Sequence, residues 1–144
     1  MTSDILLRNN VNVLGEGTQP LLFAHGFGCD QNMWRMIVPA FLKDYRVILF
    51  DYVGAGNSDW SAYSPVLYGS LDGYGQDVLD ICEALDLKQV IFVGHSVSGM
   101  IGLLAAIQAP ERIANLILVS PSPSYLDVLP ENRDYLYHHY NDNC

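Results

Sequence analysis

Basic residues, cysteines and long apolar runs are all scarce in this sequence of 144 residues. Seven Lys and Arg residues stand against sixteen Asp and Glu, which gives a formal net charge of −9. The sequence has no basic stripe, so neither nucleic acid nor an anionic membrane surface is an expected partner. The excess of acidic residues is interpreted as a solvated surface.

The cysteines are few and widely spaced. Cys29, Cys82 and Cys144 match neither the pattern of a disulfide framework nor that of a zinc site. This usage is typical of a reducing compartment and predicts a cytoplasmic protein. The first ten residues lack the features of a signal peptide, and no apolar run approaches the roughly 20 residues that span a bilayer. Neither a metal nor a cofactor is expected.

Short apolar runs alternate with helical patterns along the rest of the chain. Two strands, 5–8 and 11–14, are predicted to flank a tight turn at Asn9 and Asn10, two residues that tolerate positive φ. Further buried strands are predicted at 20–24, 46–50, 89–93 and 112–119. Helices are predicted at 32–43, where Pro39 should cause a kink or break, and at 70–87 and 97–109.

This alternation predicts an α/β fold, in which a mostly parallel sheet is covered by helices. The pattern ends after about the sixth predicted strand, near Val119. Residues 1–120 are therefore assigned to the core, and residues 121–144 to a turn-rich and irregular segment.

The stretch VIFVGHSVSGMIG, at 90–102, has a serine where a strand passes directly into a helix. This context is the one that a nucleophile elbow of the form G-x-S-x-G requires, and it makes Ser96 the candidate nucleophile. Gly94 provides the small residue two places earlier. Ser98 stands where the second glycine is usual, and Gly99 follows one place later, so the motif is weakened but not abolished.

Backbone N–H groups near this serine are candidates for an oxyanion hole. Val97 would supply one N–H at the start of the helix, where the helix dipole favours negative charge. The earlier loop His25-Gly-Phe-Gly should supply the second, from the N–H of Phe27. Gly26 and Gly28 would let this loop approach closely, and His25 is interpreted as a structural residue of the loop.

Three alternatives remain open from the residues alone. Ser96 could be an ordinary helix N-cap. His95 flanks the serine and could take part in the chemistry, although in an elbow it should point elsewhere. The glycine-rich stretch 51–59 could bind phosphate, but it lacks the third glycine of a dinucleotide fingerprint and the lysine of a P-loop, so a structural turn is favoured.

These motifs together resemble the α/β-hydrolase superfamily, and within it the RsbQ-like branch. That branch contains bacterial hydrolases of the sigma-B energy-stress pathway and is related to the plant strigolactone and karrikin receptors, which share the GHSVS form. The resemblance runs from about residue 3 to about residue 128. It rests on HGFGCDQNMW at 25–34, VILFDYVGAGNSD at 47–59, LDGYGQDVLDICEALDL at 71–87, VGHSVSGMIG at 93–102 and PSPSYL at 121–126.

The resemblance implies a serine hydrolase that acts on a small hydrophobic ester or lactone, with a role in stress signalling and a possible phosphatase-type protein partner. It assigns Ser96 as the nucleophile and the N–H groups of Phe27 and Val97 as oxyanion donors. It also implies that the chain corresponds to the N-terminal half of such an enzyme, with the lid beginning within 121–144.

The resemblance further implies a catalytic acid and a histidine that lie beyond residue 144. This chain alone is therefore expected to be inactive. The two other functional hypotheses are a ligand-sensing or partner-binding module with little turnover and an inactive truncation product. Acidic residues and histidines of the last segment are interpreted as a solvated tail; they are Asp127, Glu131, Asp134, His138, His139 and Asp142.

Overall fold

A computed structural model describes residues 2–121, which form one five-stranded sheet with helices on it. The strands are β1 (Asn12–Leu14), β2 (Gln19–Ala24), β3 (Tyr45–Leu49), β4 (Val90–His95) and β5 (Ile113–Val119). The helices are α1 (Thr2–Arg8), α2 (Pro65–Tyr68), α3 (Leu71–Ala84) and α4 (Val97–Gln108). None of the helices among these residues is long and apolar enough to cross a membrane.

The sheet has the order β1-β3-β2-β4-β5. β1 pairs antiparallel with β3, and every other pairing is parallel. The predicted α/β class with a mostly parallel sheet is confirmed. Because β2 and β4 are central neighbours, the loops that follow them meet at the same edge of the sheet.

Alternating side chains of the central strands bury two separate cores. Leu22 and Phe92 point to the face covered by α3 and α4. Leu21, Phe23 and Val93 point to the opposite face, where they pack against Trp34. This two-sided burial explains why the strands appear in the sequence as continuous apolar runs.

The first predicted strand is wrong, because residues 5–8 belong to helix α1. Ile5 packs against the core from this helix, and the buried Asn9, directly after Arg8, donates its backbone N–H to the Ile5 carbonyl over 3.0 Å. Short apolar runs do not distinguish strand from helix by period alone, which accounts for the error. Asn10 does adopt a positive φ of 44°, but it ends a helix rather than joining a hairpin.

The other predicted elements shift only at their ends or subdivide. The segment 32–43 forms two short 3-10 turns, Gln31–Trp34 and Val38–Ala40, and Pro39 lies in the second, where a break was expected. The strand count up to Val119 becomes five, because the first predicted strand is helical. The predictions for residues 122–144, including the lid and tail assignments, lie outside the described residues.

Candidate active site

Ser96 lies between β4 and α4 in a backbone conformation that side chains rarely adopt. Its φ is 55° and its ψ is −121°. This combination belongs to the region that glycine favours, and for another residue it costs of order 1–3 kcal/mol. Such strain persists only where the surrounding structure imposes it. Here the Ser96 N–H donates to the Val119 carbonyl over 2.9 Å, which ties the turn to the end of β5.

The N-cap alternative does not describe Ser96. An N-cap residue has extended backbone angles, and its side chain accepts a hydrogen bond from the first helical turn. Ser96 has a positive φ, and its hydroxyl makes no capping hydrogen bond. By contrast, Ser70 has extended angles and caps α3 by accepting from the Asp72 N–H. The hydroxyl of Ser96 is therefore not used by its own helix.

Close packing at the elbow explains the glycines of the motif. A Cβ on Gly94 would lie 2.6 Å from the Ser98 carbonyl oxygen, which is a backbone atom that cannot move aside easily. A Cβ on Gly102 would lie 2.3 Å from the Phe92 ring. Gly99 is less constrained, since its Cβ would lie 3.0 Å from the side chain of Pro121. The sharp turn therefore depends most on Gly94.

Ser98 is fully buried and reaches from α4 to the loop after β2. Its hydroxyl bonds both to the His25 carbonyl and to the Tyr52 hydroxyl, the second over 2.9 Å. A carbonyl can only accept, so Ser98 donates to His25 and accepts from Tyr52. Ser98 thus occupies the place of the second glycine and joins three segments of the chain.

The loop after β2 lies directly against the elbow. A Cβ on Gly26 would lie 2.5 Å from His95 Nδ1 and 3.5 Å from Ser96 Cβ. Gly28 has a φ of 74°, which lets the loop turn tightly. The structure therefore brings the loop containing Phe27 and the turn containing Ser96 together.

The imidazole of His25 is held by backbone groups at both ring nitrogens. Nδ1 donates to the Gly26 carbonyl over 2.8 Å, and Nε2 accepts from the Tyr52 N–H over 3.1 Å. Burial lowers the pKa of His25 below its usual 6.5. The ring is therefore neutral and fully engaged, so it is not free to accept a proton from Ser96.

The lowered pKa of His25 predicts a loss of stability in mild acid. The unfolded chain binds a proton at this histidine near pH 6.5, whereas the folded chain binds it only at lower pH. The contribution of the neutral His25 to the free energy of unfolding is complete above pH 6.5. At lower pH this contribution decreases, by up to about 1.4 kcal/mol per pH unit. We expect a His25→Asn variant to show a shallower decline in unfolding free energy between pH 7.5 and 5.5.

Chemical denaturation at several pH values measures how the free energy of unfolding changes with pH in the parent and in His25→Asn. The carboxylates and the other histidines are common to the two proteins, so the difference between the slopes isolates His25. Equal slopes in the parent and the variant would contradict the predicted protonation behaviour.

His95 precedes Ser96 and lies against Gly26, and within residues 2–121 no hydrogen bond joins its ring to the Ser96 hydroxyl. Its Nδ1 atom is buried and has no hydrogen-bond partner among the described residues. Burial lowers the pKa of this imidazole as well. The geometry gives His95 a packing contact at the junction between the elbow and the loop.

Two backbone N–H groups remain free where the loop and the elbow meet. Phe27 lies in the loop, and Val97 is the first residue of α4, where an N–H has no acceptor within the helix. Among residues 2–121, no backbone or side-chain oxygen accepts a hydrogen bond from either N–H. Both residues line a cavity of about 560 Å³. The cavity therefore has two unpaired donors at its wall.

The walls of this cavity are largely apolar and aromatic. They include Tyr52, Trp60, Leu71, Tyr74 and Ile101. These residues were not singled out from the sequence, because they come from four separate segments. For Tyr52 alone the sequence holds a signal: with Asp51 it follows the apolar run of β3, at the edge of the sheet where the elbow lies.

The glycine-rich loop 51–59 uses its own N–H groups internally. Asp51 is buried and accepts from the N–H groups of Gln31 and Asn57, over 2.9 and 3.0 Å. The Ser58 hydroxyl accepts from the N–H groups of Gly54 and Ala55. Donors occupied in this way are not available to a phosphate, so the structure supports the interpretation of a structural turn.

A profile of the family described as "alpha/beta hydrolase fold" matches residues 19–143 of this chain. The chain belongs to the α/β-hydrolase family. Among solved structures, a hydrolase from Oleispira antarctica superposes with a TM-score of 0.85 at 44% identity, covering 95% of this chain and 52% of that one. The resemblance found in the sequence is confirmed at the level of the family and its fold.

Plant proteins are among the similar curated relatives. A karrikin insensitive 2 receptor of Petunia hybrida is 44% identical over 119 residues, which are 83% of this chain and 44% of the relative. A strigolactone esterase of Arabidopsis thaliana is 44% identical over 124 residues, which are 86% of this chain and 46% of the relative. The chain thus spans about half the length of these relatives, and the expected relationship to the plant receptors is confirmed.

Proposed function

We propose that this chain carries the nucleophile and the oxyanion hole of a serine hydrolase. The observation that carries the proposal is the backbone of Ser96, with a φ of 55° between a strand and a helix and a hydroxyl that caps nothing. A nucleophile presented on a strained turn at the carboxyl edge of a sheet is the arrangement of a nucleophile elbow. Ser96 attacks an acyl carbon, and the N–H groups of Phe27 and Val97 stabilise the oxyanion that forms.

The proposed substrate is a small hydrophobic ester or lactone. A cavity of about 560 Å³ suits a small molecule, and its wall is mostly apolar. Trp60 and Tyr74 offer aromatic surface, while the free N–H groups of Phe27 and Val97 offer the polar contacts for a carbonyl oxygen. The names of relatives agree with acyl chemistry, since they include a strigolactone esterase and an N-acyl homoserine lactone degrading enzyme.

The general base for Ser96 is proposed to be a histidine beyond residue 144, as the resemblance implies. Of the two histidines within 2–121, His25 has both ring nitrogens engaged and His95 packs against Gly26. A serine without a base remains a weak nucleophile. Oxyanion donors alone can leave catalysis on the order of 10³-fold over water, but only in an intact site, and this chain spans about half of its relatives' length. We therefore expect the purified 144-residue chain to hydrolyse esters no faster than background.

A role in stress signalling, a phosphatase-type protein partner and a cytoplasmic location are part of the same proposal. They are supported by the resemblance to RsbQ-like hydrolases. A second candidate function, ligand sensing with little turnover, is favoured by the relatives that are named receptors. Thermal stabilisation by a bound ester analogue that persists in a Ser96→Ala variant would support sensing over turnover.

Fluorophosphonate labelling of the protein in its native cells tests the proposal. The reagent phosphonylates an activated serine, and peptide mass spectrometry identifies the modified residue. We expect the label on Ser96 alone. Labelling at another residue, or no labelling of a protein shown by its thermal transition to be folded, would overturn the proposed function. Ester turnover by the purified 144-residue chain would instead contradict only the placement of the base.

A further inference from the structure

We propose that Ser98 is a positioning residue that holds the oxyanion loop in its active geometry. The inference rests on the proposed function and concerns a residue that replaces the second glycine of the usual elbow motif. In the structure this serine is buried and bonded to two partners, so it does more than fill the place of a small residue.

Three hydrogen bonds close a buried circuit of His25, Tyr52 and Ser98, and a fourth joins His25 to Gly26. Tyr52 donates through its N–H to His25 Nε2 and through its hydroxyl to Ser98. Ser98 donates to the His25 carbonyl, and His25 Nδ1 donates to the Gly26 carbonyl. Burial raises the pKa of Tyr52, which keeps its phenol protonated and able to donate. The donor and the acceptor are therefore fixed in each of these hydrogen bonds.

This circuit determines the direction of the Phe27 N–H. A peptide unit is planar, and in the trans form its carbonyl and N–H point in opposite directions. The Phe27 N–H shares a peptide unit with the Gly26 carbonyl, which accepts from His25 Nδ1 and from the Cys29 N–H. The preceding peptide unit carries the His25 carbonyl, which Ser98 holds. Two successive peptide units of the loop are thus oriented by buried donors.

The partners of Ser98 are distant in sequence, being 73 residues away at His25 and 46 at Tyr52. Because Ser98 lies two residues after the proposed nucleophile, its hydroxyl links the Ser96 turn to the loop that stabilises the oxyanion. The ring of Tyr52 also lines the cavity. A generic elbow with glycine at this position could not make the link.

The test compares Ser98→Ala, Tyr52→Phe and Ile48→Val with the parent protein. The quantity measured is the second-order rate constant for phosphonylation of Ser96 by a fluorophosphonate. The protein is used in the form that reacts with this reagent in its native cells. Ser98→Ala is expected to react roughly tenfold more slowly, since small misplacement of a catalytic group has effects of this size or larger. Tyr52→Phe should show a smaller loss, because Ser98 still donates to His25.

Ile48→Val controls for stability alone. It removes one buried methyl group from the core and no hydrogen bond, and Ile48 does not line the cavity. In Ile48→Val, Ser96 should be phosphonylated as fast as in the parent. This should hold even if the two variants, Ile48→Val and Ser98→Ala, have equally lowered thermal midpoints. With an ester substrate, Ser98→Ala should lower kcat and leave KM nearly unchanged, because the oxyanion forms only during the reaction.

A second measurement does not depend on catalysis. Labelling the 144-residue chain with ¹⁵N-phenylalanine gives five amide signals, and Phe27→Leu identifies the one from Phe27. Ser98→Ala is expected to shift or broaden that signal, and Ile48→Val to leave it in place.

The outcomes separate the two proposals. If Ser96 reacts equally fast in the parent and in Ser98→Ala, the positioning role is wrong and the proposed function stands. If Ser96 of the parent does not react at all, the proposed function fails. The Phe27 amide then decides the positioning role, which is wrong if that signal does not move in Ser98→Ala.

Discussion

Replacing Ser96 by alanine is expected to lower ester hydrolysis by at least about 10³-fold in the form of the protein that reacts with fluorophosphonates. Alanine removes the attacking oxygen but keeps a Cβ, so the strained turn and the cavity should persist. The loss should therefore appear in kcat, while binding of a non-hydrolysable ester analogue changes little. Steady-state kinetics and calorimetric titration measure the two effects separately.

A glycine at the same position should separate activity from stability. Ser96 has a φ of 55°, a value that glycine adopts without steric cost. Ser96→Gly should therefore be as inactive as Ser96→Ala, yet unfold with a free energy about 1 kcal/mol higher than that of Ser96→Ala. Ser61→Ala, at an exposed serine outside the cavity lining, is the control for the loss of a hydroxyl. Equal stability of the glycine and alanine variants would show that the turn is not strained.

The second large effect is expected at Asp77, whose carboxylate is buried between α1 and α3. It accepts from Arg8 Nη2 over 2.7 Å, from Asn9 Nδ2 over 3.3 Å and from the Tyr68 hydroxyl over 3.1 Å. Arg8 also lies 3.5 Å from Asp80. Asp77 thus joins the N-terminal helix to the layer of helices on which the core depends.

Asp77→Ala should lower the free energy of unfolding by about 3 kcal/mol. The reason is that Asn9 and Tyr68 would lose a buried acceptor and Arg8 its closest partner. Burial raises the pKa of Asp77 despite the nearby arginine, so the buried charge is itself costly. We therefore expect Asp77→Asn, which keeps one acceptor oxygen and carries no charge, to lose less than the alanine variant.

Urea denaturation of the variants measures these differences. Glu83→Ala is a matched control, because Glu83 is an exposed acidic residue on the same helix, α3. Glu83→Ala should change the free energy of unfolding by no more than about 0.5 kcal/mol, as is usual for exposed positions. A loss for Asp77→Ala no larger than that of Glu83→Ala would show that the network contributes little to stability.

Local patterns in the sequence were sufficient to predict the architecture. Continuous apolar runs marked the parallel strands because both faces of the sheet are buried, and the helical period marked α3 and α4. The pattern failed at residues 5–8, where a short apolar run served as a helix. The position of Ser96 between a strand and a helix was also predictable, since both neighbours have clear periods.

The environment of the site was decided by contacts between residues far apart in the chain. Sequence spacing gave no sign that the Ser98 hydroxyl would reach His25 and Tyr52, or that Tyr74 and Ile101 would share one cavity with Phe27. The sequence by itself determined the strands and helices from β2 onward that form the central sheet and its main helices, and the location of the elbow, because these depend on near neighbours. Only the tertiary structure decided which donors are free and which are engaged, because that depends on how the sheet brings separate loops to one edge.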